Sequence, residues 1–195
     1  MKKIPVILLL IFVYINSSFA FEKDAENLVQ QTTDNAKKII KDSNIKLEDK
    51  KKQIEKIALD VVDVDGLGRF CLGAEKQNLK KDQLDLYTKT FRIFFSKNIS
   101  SRLQNYSDQN IKVSGSKKIS DNYVLVNSKM TSIKESREVA IDWRVFNVGG
   151  KLVIRDLVVE GLSLAKTQRE EFASILANKG FDGLISNLND FISKN

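Results

Sequence analysis

The sequence lacks histidine entirely, and its 195 residues include one cysteine and one proline. Without histidine, the chain cannot form a serine–histidine–aspartate triad, a cysteine–histidine pair or a zinc site with histidine ligands. Because Cys71 is the only cysteine, no disulfide can form within the chain. Its apolar neighbours Phe70 and Leu72 predict that Cys71 is a small buried side chain. Carboxylates are therefore the main candidates for any acid–base chemistry.

Long apolar runs are also scarce, and the single one lies near the N-terminus, from residue 4 to residue 15, behind two lysines. This run is shorter than the ~20 residues that a membrane-spanning helix needs. A small-x-small cleavage site ends at Ala20, so the segment is typical of a secretory signal peptide. We expect residues 1–20 to be removed and residues 21–195 to form a single domain. The alternative is a retained membrane anchor.

The excess of positive charge is modest, with 32 basic against 25 acidic residues in the whole sequence. Two of the basic residues belong to the N-terminal signal segment. The others are interspersed with acidic residues rather than gathered in a stripe, which argues against nucleic acid as a partner. Weak attraction to anionic lipid surfaces is compatible with this charge.

The first half of the predicted domain has the apolar spacing of helices. Residues 22–43 and 48–64 each place apolar side chains on one face, which predicts two amphipathic helices. A glycine-punctuated segment, residues 66–73, predicts a short buried helix. The longest predicted helix covers residues 82–106, and its large apolar side chains follow one another at three- or four-residue steps. Such a stripe either packs in a core or lines a cavity.

The second half has the period of two that is typical of strands, and it predicts four antiparallel strands followed by two short helices around Gly180. In the first strand of the central hairpin, apolar and polar residues alternate, and the apolar ones are Val139, Ile141, Trp143 and Val145. Gly149 and Gly150 can adopt the positive φ that a tight hairpin turn requires. The strand over residues 152–159 is almost wholly apolar, so we expect it inside the sheet.

Four short motifs follow one another in a fixed order. Arg69 with Leu72 and Gly73 matches R-x-x-L-G, and residues 156–163 are close to D-x-x-V-E-G-V-S. Arg169 and Phe172 match R-x-x-F, and residues 180–185 match G-x-D-G-L-I. In these motifs the chain resembles the MlaC family, the periplasmic phospholipid-binding shuttle proteins that are also known as toluene-tolerance auxiliary proteins. It departs from the family pattern at Lys76, Ile99 and Leu152, where aromatic residues are usual.

The resemblance implies an α+β, NTF2-like fold in which helices pack on a curved four-stranded antiparallel sheet and enclose an apolar lipid cavity. Residues 21–195 would then be one MlaC-like phospholipid-binding domain in the periplasm. On this interpretation the protein is a monomeric carrier with no catalytic residue, metal or cofactor. Its partners would be phospholipid, an outer-membrane lipoprotein complex and an inner-membrane ABC transporter with MCE domains.

The residues expected to line the lipid cavity are apolar and come from the short helix, the long helix and the sheet: Phe70, Leu72, Phe91, Phe95, Ile99, Leu103, Val126, Met130, Val139, Ile141, Trp143, Val145, Ile154 and Val158. Two other functions remain open. One is an enzyme that uses Asp142 or Asp156 as a general base. The other is an exported structural or adhesion domain with a solid core. The interior distinguishes them, because a carrier needs a continuous apolar tunnel and an enzyme needs a polar pocket.

The signal-peptide hypothesis gives a direct prediction for the exported protein. Its N-terminal residue is expected to be Phe21, since cleavage follows the small-x-small site. N-terminal sequencing of exported protein checks this expectation. Exported protein that still begins with Met1 would contradict it and would favour the membrane anchor.

Overall fold

Five α-helices and five strands make up the part of the chain that the computed structural model describes, residues 16–102, 109–132 and 137–195. The helices are α1 (Asn16–Lys41), α2 (Leu47–Val61), α3 (Val64–Leu72), α4 (Lys81–Ser101) and α5 (Leu164–Lys194), and a short 3₁₀ helix (Gly73–Gln77) follows α3. The strands are β1 (Gln109–Ser120), β2 (Tyr123–Ser132), β3 (Glu138–Val148), β4 (Lys151–Val159) and β5 (Leu162–Ser163). The predicted α+β class and the order of helices and strands are confirmed.

The strands form one antiparallel sheet in which each strand pairs with the next along the chain. The tight turn between β3 and β4 is formed by Gly149 and Gly150, whose φ angles are 60° and 87°. The expectation of four strands was wrong by one. Strand β5 has only two residues, which pair with the end of β4. A strand of that length is too short to show a period of two in the sequence.

A β-bulge at Arg155 sets the direction of the side chains in β4. Val145 pairs with Ile154 and Arg144 pairs with Asp156, so Arg155 has no opposite residue in β3. Because side chains alternate along a strand, the extra residue puts Ile154 and Leu157 on the same face of the sheet. That face carries the apolar side chains of β3, whereas Asp156 lies beside Arg144 on the other face.

Two apolar clusters form the core. The sheet cluster joins α1 to the strands, and its buried members are Ala25, Val29, Val124, Val126, Ile141, Trp143, Val145 and Ile154. The helical cluster joins α3, α4 and α5, and its buried members are Val64, Cys71, Leu72, Tyr87, Phe91, Phe94, Phe172, Leu184 and Leu188. Aromatic rings dominate the helical cluster, with ring centroids of Tyr87 and Phe91 5.6 Å apart.

Helix α3 approaches α4 closely because Gly68 has no side chain. A Cβ atom at Gly68 would lie 2.9 Å from Cδ1 of Phe91. The Tyr87 hydroxyl donates a hydrogen bond to the Gly68 carbonyl oxygen over 3.0 Å. Burial raises the pKa of Tyr87 well above its usual range, so the phenol stays neutral and keeps this hydrogen bond.

The C-terminal region is one helix with a break rather than the two short helices that we expected. At Gly180 in α5 the φ and ψ angles are 67° and −170°, outside the helical region. The predicted break is therefore in the right place, but no loop separates the two halves. Helix α4 ends at Ser101, and the end of its predicted range lies outside the described residues. No helix in the described ranges is both long and apolar enough to cross a bilayer.

A buried carboxylate joins β4 to α5. Asp156 is 8% exposed, and its two oxygens accept hydrogen bonds from the Ser163 hydroxyl over 2.6 Å and the Ala165 backbone N–H over 2.9 Å. Arg144 Nη1 lies 3.4 Å from the same carboxylate. Ser163 in turn caps α5, because its Oγ accepts a hydrogen bond from the Lys166 backbone N–H. The carboxylate thus fixes where the last helix begins.

The Asp156→Ala substitution is expected to lower the free energy of unfolding by about 3 kcal/mol, since two buried donors would lose their acceptor. Asp142 is the matched control, because it is half-buried and accepts one hydrogen bond from the Asn127 side chain, over 2.7 Å. The Asp142→Ala change is expected to cost about 1 kcal/mol. Urea unfolding of the two variants measures both values. Equal losses of stability would contradict this role of Asp156.

Candidate functional site

An apolar cavity of about 320 Å³ lies where the two core clusters meet, between the sheet and the helices. Its volume is at the lower end of the range for small-molecule sites, ~300–1,000 Å³. Its lining comes from all five α-helices and from the sheet, and it is mostly apolar, with Ile54, Ile57, Ala58, Val61, Phe91, Phe94, Phe95, Ile99, Trp143, Ile154 and Leu157 among its residues. The cavity is therefore built for apolar material.

Helices α2 and α4 form the two long walls of the cavity. On α2, Ile54, Ile57 and Val61 are spaced by three and four residues, so they occupy one face of the helix. On α4, Phe91 and Phe95 are four residues apart and share a face in the same way. The two apolar stripes thus line the same space.

The floor of the cavity is the sheet, and Trp143 is its largest residue. The indole N–H of Trp143 donates a hydrogen bond to Ser128 Oγ over 2.9 Å, and that hydroxyl donates to the Ile141 carbonyl oxygen over 3.0 Å. Both polar groups are thereby satisfied within the sheet. The Trp143 ring can then present apolar surface to the cavity.

Cys71, at the end of α3, also lines the cavity. Burial raises the pKa of its thiol to about 12. At neutral pH the thiol therefore remains protonated and behaves as a small apolar group rather than as a nucleophile. This agrees with the buried side chain that the sequence predicts.

Few of the residues that line the cavity are polar: Thr32, Asn98, Arg155, Asp156 and Gln168. Arg155 Nε donates a hydrogen bond to Asp63 Oδ2 over 2.8 Å, and Asp156 is held by Ser163 and Ala165. Asp142 lies outside the lining. Within the described ranges, no three side chains of the metal-binding types are grouped together. The arrangement can enclose an apolar chain, and its carboxylates already have hydrogen-bonding partners.

Of the fourteen residues that were predicted to line a lipid cavity, five line the apolar cavity described above: Phe91, Phe95, Ile99, Trp143 and Ile154. Another of the fourteen, Leu103, lies outside the described residues.

Five of the other predicted residues belong to the sheet cluster and do not line the cavity: Val126, Met130, Val139, Ile141 and Val145. They lie on the same face of the sheet as Trp143, but α1 covers this part of the face. Ala25 and Val29 of α1 are fully buried in the same cluster. The period of two identifies the inner face of a strand, and it does not reveal which part of that face a helix covers.

The last three predicted residues lie away from the cavity for different reasons. Leu72 is buried in the helical cluster. Phe70 is 38% exposed and has the Arg169 guanidinium over its ring, 5.1 Å from the centroid. Val158 pairs with Asp142 and so lies on the opposite face of the sheet, because the bulge at Arg155 reverses the alternation in β4.

The prediction missed the α2 wall. Residues 54–61 were identified as the apolar face of an amphipathic helix but not as part of a cavity. The available signal was the stripe itself, because an amphipathic helix buries its apolar face against other elements or lines an apolar space with it.

Sequence comparison places this architecture among known proteins. The model of the MlaC protein family matches residues 30–190. The intermembrane phospholipid transport system binding protein MlaC of Haemophilus influenzae is 26% identical over 140 residues, which cover 70% of this chain and 65% of that protein. The toluene tolerance protein ttg2D of Pseudomonas putida is 22% identical over 130 residues, which cover 66% of this chain and 60% of that protein. The matches span somewhat less than two thirds of each relative.

A solved structure has the same fold. It is that of a phospholipid-binding protein from Ralstonia solanacearum in complex with a phospholipid, and it superposes with a TM-score of 0.74 at 21% sequence identity. The likeness covers 87% of this chain and 97% of that structure. Because the family model matches most of the chain, the protein belongs to the MlaC family.

Proposed function

We propose that this protein is a soluble phospholipid carrier whose apolar cavity holds the acyl chains of the lipid. The observation that carries this proposal is the cavity itself, with walls from α2 and α4 and a floor at Trp143. The name of its relative in Haemophilus influenzae supports the same function, as does the phospholipid bound in the Ralstonia solanacearum structure.

The energetics of acyl chains in water explain why such a carrier is needed. Each buried CH₂ is worth ~0.8 kcal/mol, so a lipid with two tails and about thirty methylenes would cost on the order of 20 kcal/mol to expose. A protein that encloses tail surface removes a large part of that barrier. The enclosing walls must be apolar, and no reactive group is required.

The cellular setting follows from the same family. The predicted signal peptide would deliver the protein to the periplasm, where the carrier would exchange phospholipid with an outer-membrane lipoprotein complex and an inner-membrane ABC transporter with MCE domains. The Haemophilus influenzae relative is named for an intermembrane phospholipid transport system, which supports this assignment. The carrier would act without catalysis, because Asp142 lies outside the cavity and Asp156 serves the junction of β4 with α5.

The natural position of Trp143 provides a direct assay. It is the only tryptophan of the chain, and it lies on the cavity floor. Bromine atoms on an acyl chain quench tryptophan fluorescence at contact distance, so phospholipid with brominated chains is expected to quench Trp143. Unbrominated phospholipid is the control and should leave most of the fluorescence intact. Equal fluorescence with the two lipids at saturation would contradict occupancy of the cavity.

Two isoleucines on α4 offer a matched pair of variants for this assay. Ile99 lines the cavity, whereas Ile93 is 50% exposed on the outer side of the helix. The Ile99→Asp change is expected to weaken binding of brominated phospholipid at least about tenfold, because a carboxylate beside acyl chains costs several kcal/mol. The Ile93→Asp change should leave binding nearly unchanged. Similar quenching curves for both variants, with both proteins folded, would contradict the binding of acyl chains in the cavity.

A further inference from the structure

A second pocket, of about 440 Å³, lies on the other side of β4 from the apolar cavity. It differs from the cavity in chemistry. Four cationic side chains and one carboxylate line it: Arg69, Lys76, Arg144, Arg155 and Asp156. This composition is unusual for a chain in which basic and acidic residues are otherwise interspersed, and it gives the pocket a local excess of positive charge.

The carboxylates near the pocket are already engaged. Asp156 accepts hydrogen bonds from Ser163 and Ala165. Asp63, just behind the lining, accepts from the Gly66 backbone N–H over 2.9 Å and from Arg155 Nε over 2.8 Å. These two groups balance part of the charge of Arg144 and Arg155. In the described part of the chain, neither Arg69 nor Lys76 forms an ion pair, and Asp65, whose carboxylate interacts with Arg69 at longer range, is itself paired with Arg92. Both side chains therefore add positive charge at the rim.

The two inner arginines retain unused hydrogen-bond donors. Arg144 approaches Asp156 only through Nη1, at 3.4 Å, and its buried Nε has no hydrogen-bond partner among the described residues. Arg155 uses Nε for Asp63, and its guanidinium lies 5.0 Å from the centroid of the Phe146 ring. A guanidinium presents five N–H donors in a planar fork that suits the oxygens of a phosphate group. The pocket therefore offers donors as well as charge.

The basic pocket and the apolar cavity adjoin. Leu67, Arg155, Asp156 and Ala165 line both of them. An apolar compartment next to a cationic one matches the two parts of a phospholipid, whose acyl chains are apolar and whose phosphate is anionic. The bulge at Arg155 produces this arrangement, because it brings a cationic side chain to the boundary between the two compartments.

We propose that this pocket, lined by Arg69, Lys76, Arg144 and Arg155, binds the phosphate group of a lipid headgroup, and that it gives the carrier a preference for phosphate-bearing lipids over uncharged ones. The proposal rests on the proposed function for the position of the acyl chains. The same donors suit free inorganic phosphate, so the two sources of phosphate must be told apart by experiment.

The test compares two brominated ligands that differ at the headgroup, phosphatidylglycerol and diacylglycerol, by quenching of Trp143 at low salt. Wild-type protein is expected to bind the phosphatidylglycerol about tenfold more tightly. In the double variant Arg69→Gln/Lys76→Gln this ratio should fall to about two or less. Both side chains are exposed, so their replacement should not disturb folding. The double variant Lys112→Gln/Lys117→Gln on β1 removes the same charge from exposed positions and should keep the tenfold ratio.

Calorimetric titration with inorganic phosphate is the second arm, and it uses the same three proteins without lipid. Phosphate that binds wild type and the β1 variant but not Arg69→Gln/Lys76→Gln would support the pocket and identify free phosphate as a ligand. If Arg69→Gln/Lys76→Gln loses the preference for phosphatidylglycerol over diacylglycerol but its phosphate titration is unchanged, the lipid headgroup is supported as the ligand. The proposal would be overturned if Arg69→Gln/Lys76→Gln kept both the wild-type preference for phosphatidylglycerol and the wild-type phosphate titration. Absence of quenching by either lipid in wild type would instead defeat the proposed carrier function, and the phosphate titration would still decide the pocket.

Discussion

The combination of an apolar cavity with a packed core is the constraint on which this structure depends. Protein cores are normally as dense as organic crystals, so the chain must bury enough apolar surface outside the cavity to be stable. Two clusters do this. The sheet cluster closes under α1, around Val29 and Val145, and the helical cluster closes around Tyr87 and Phe172. The cavity lies between them, and buried members of both clusters line it, among them Phe91 and Ile154.

Strand β4 connects the two clusters and separates two kinds of environment. Its bulge sends Ile154 and Leu157 towards the cavity and leaves Asp156 on the other face. Asp156 then fixes the start of α5, so the helix that supplies Phe172 to the helical cluster begins at a position set by the sheet. One irregularity in one strand thus positions an apolar wall, a structural carboxylate and a cationic boundary.

Residue patterns predict much of this fold and only part of its site. Alternation in β3 identified the face that carries Trp143, and the spacing of Phe91, Phe95 and Ile99 identified a wall of the cavity. The same alternation could not distinguish Trp143, which faces the cavity, from Ile141 and Val145, which α1 helps to bury. That distinction depends on where a helix from the start of the chain crosses the sheet, and no local pattern records it.

Other features could not be predicted from residue patterns, because a strand is too short or because its register shifts at a bulge. A two-residue strand such as β5 has no periodicity, and the bulge at Arg155 turns Val158 away from the expected face of the sheet without any change in composition. The α2 wall was visible as an apolar stripe, but its role appears only from the cavity that it lines together with α4. Periodicity therefore assigns faces, and long-range packing decides which face becomes a site.

The central claim is that the apolar cavity holds phospholipid, and native mass spectrometry of the exported protein, purified from cells without detergent, tests it most directly. We expect a population whose mass exceeds that of the polypeptide by one phospholipid, with the same lipid in an organic extract of the sample. A bare polypeptide in every charge state, together with an extract free of lipid, would contradict this claim.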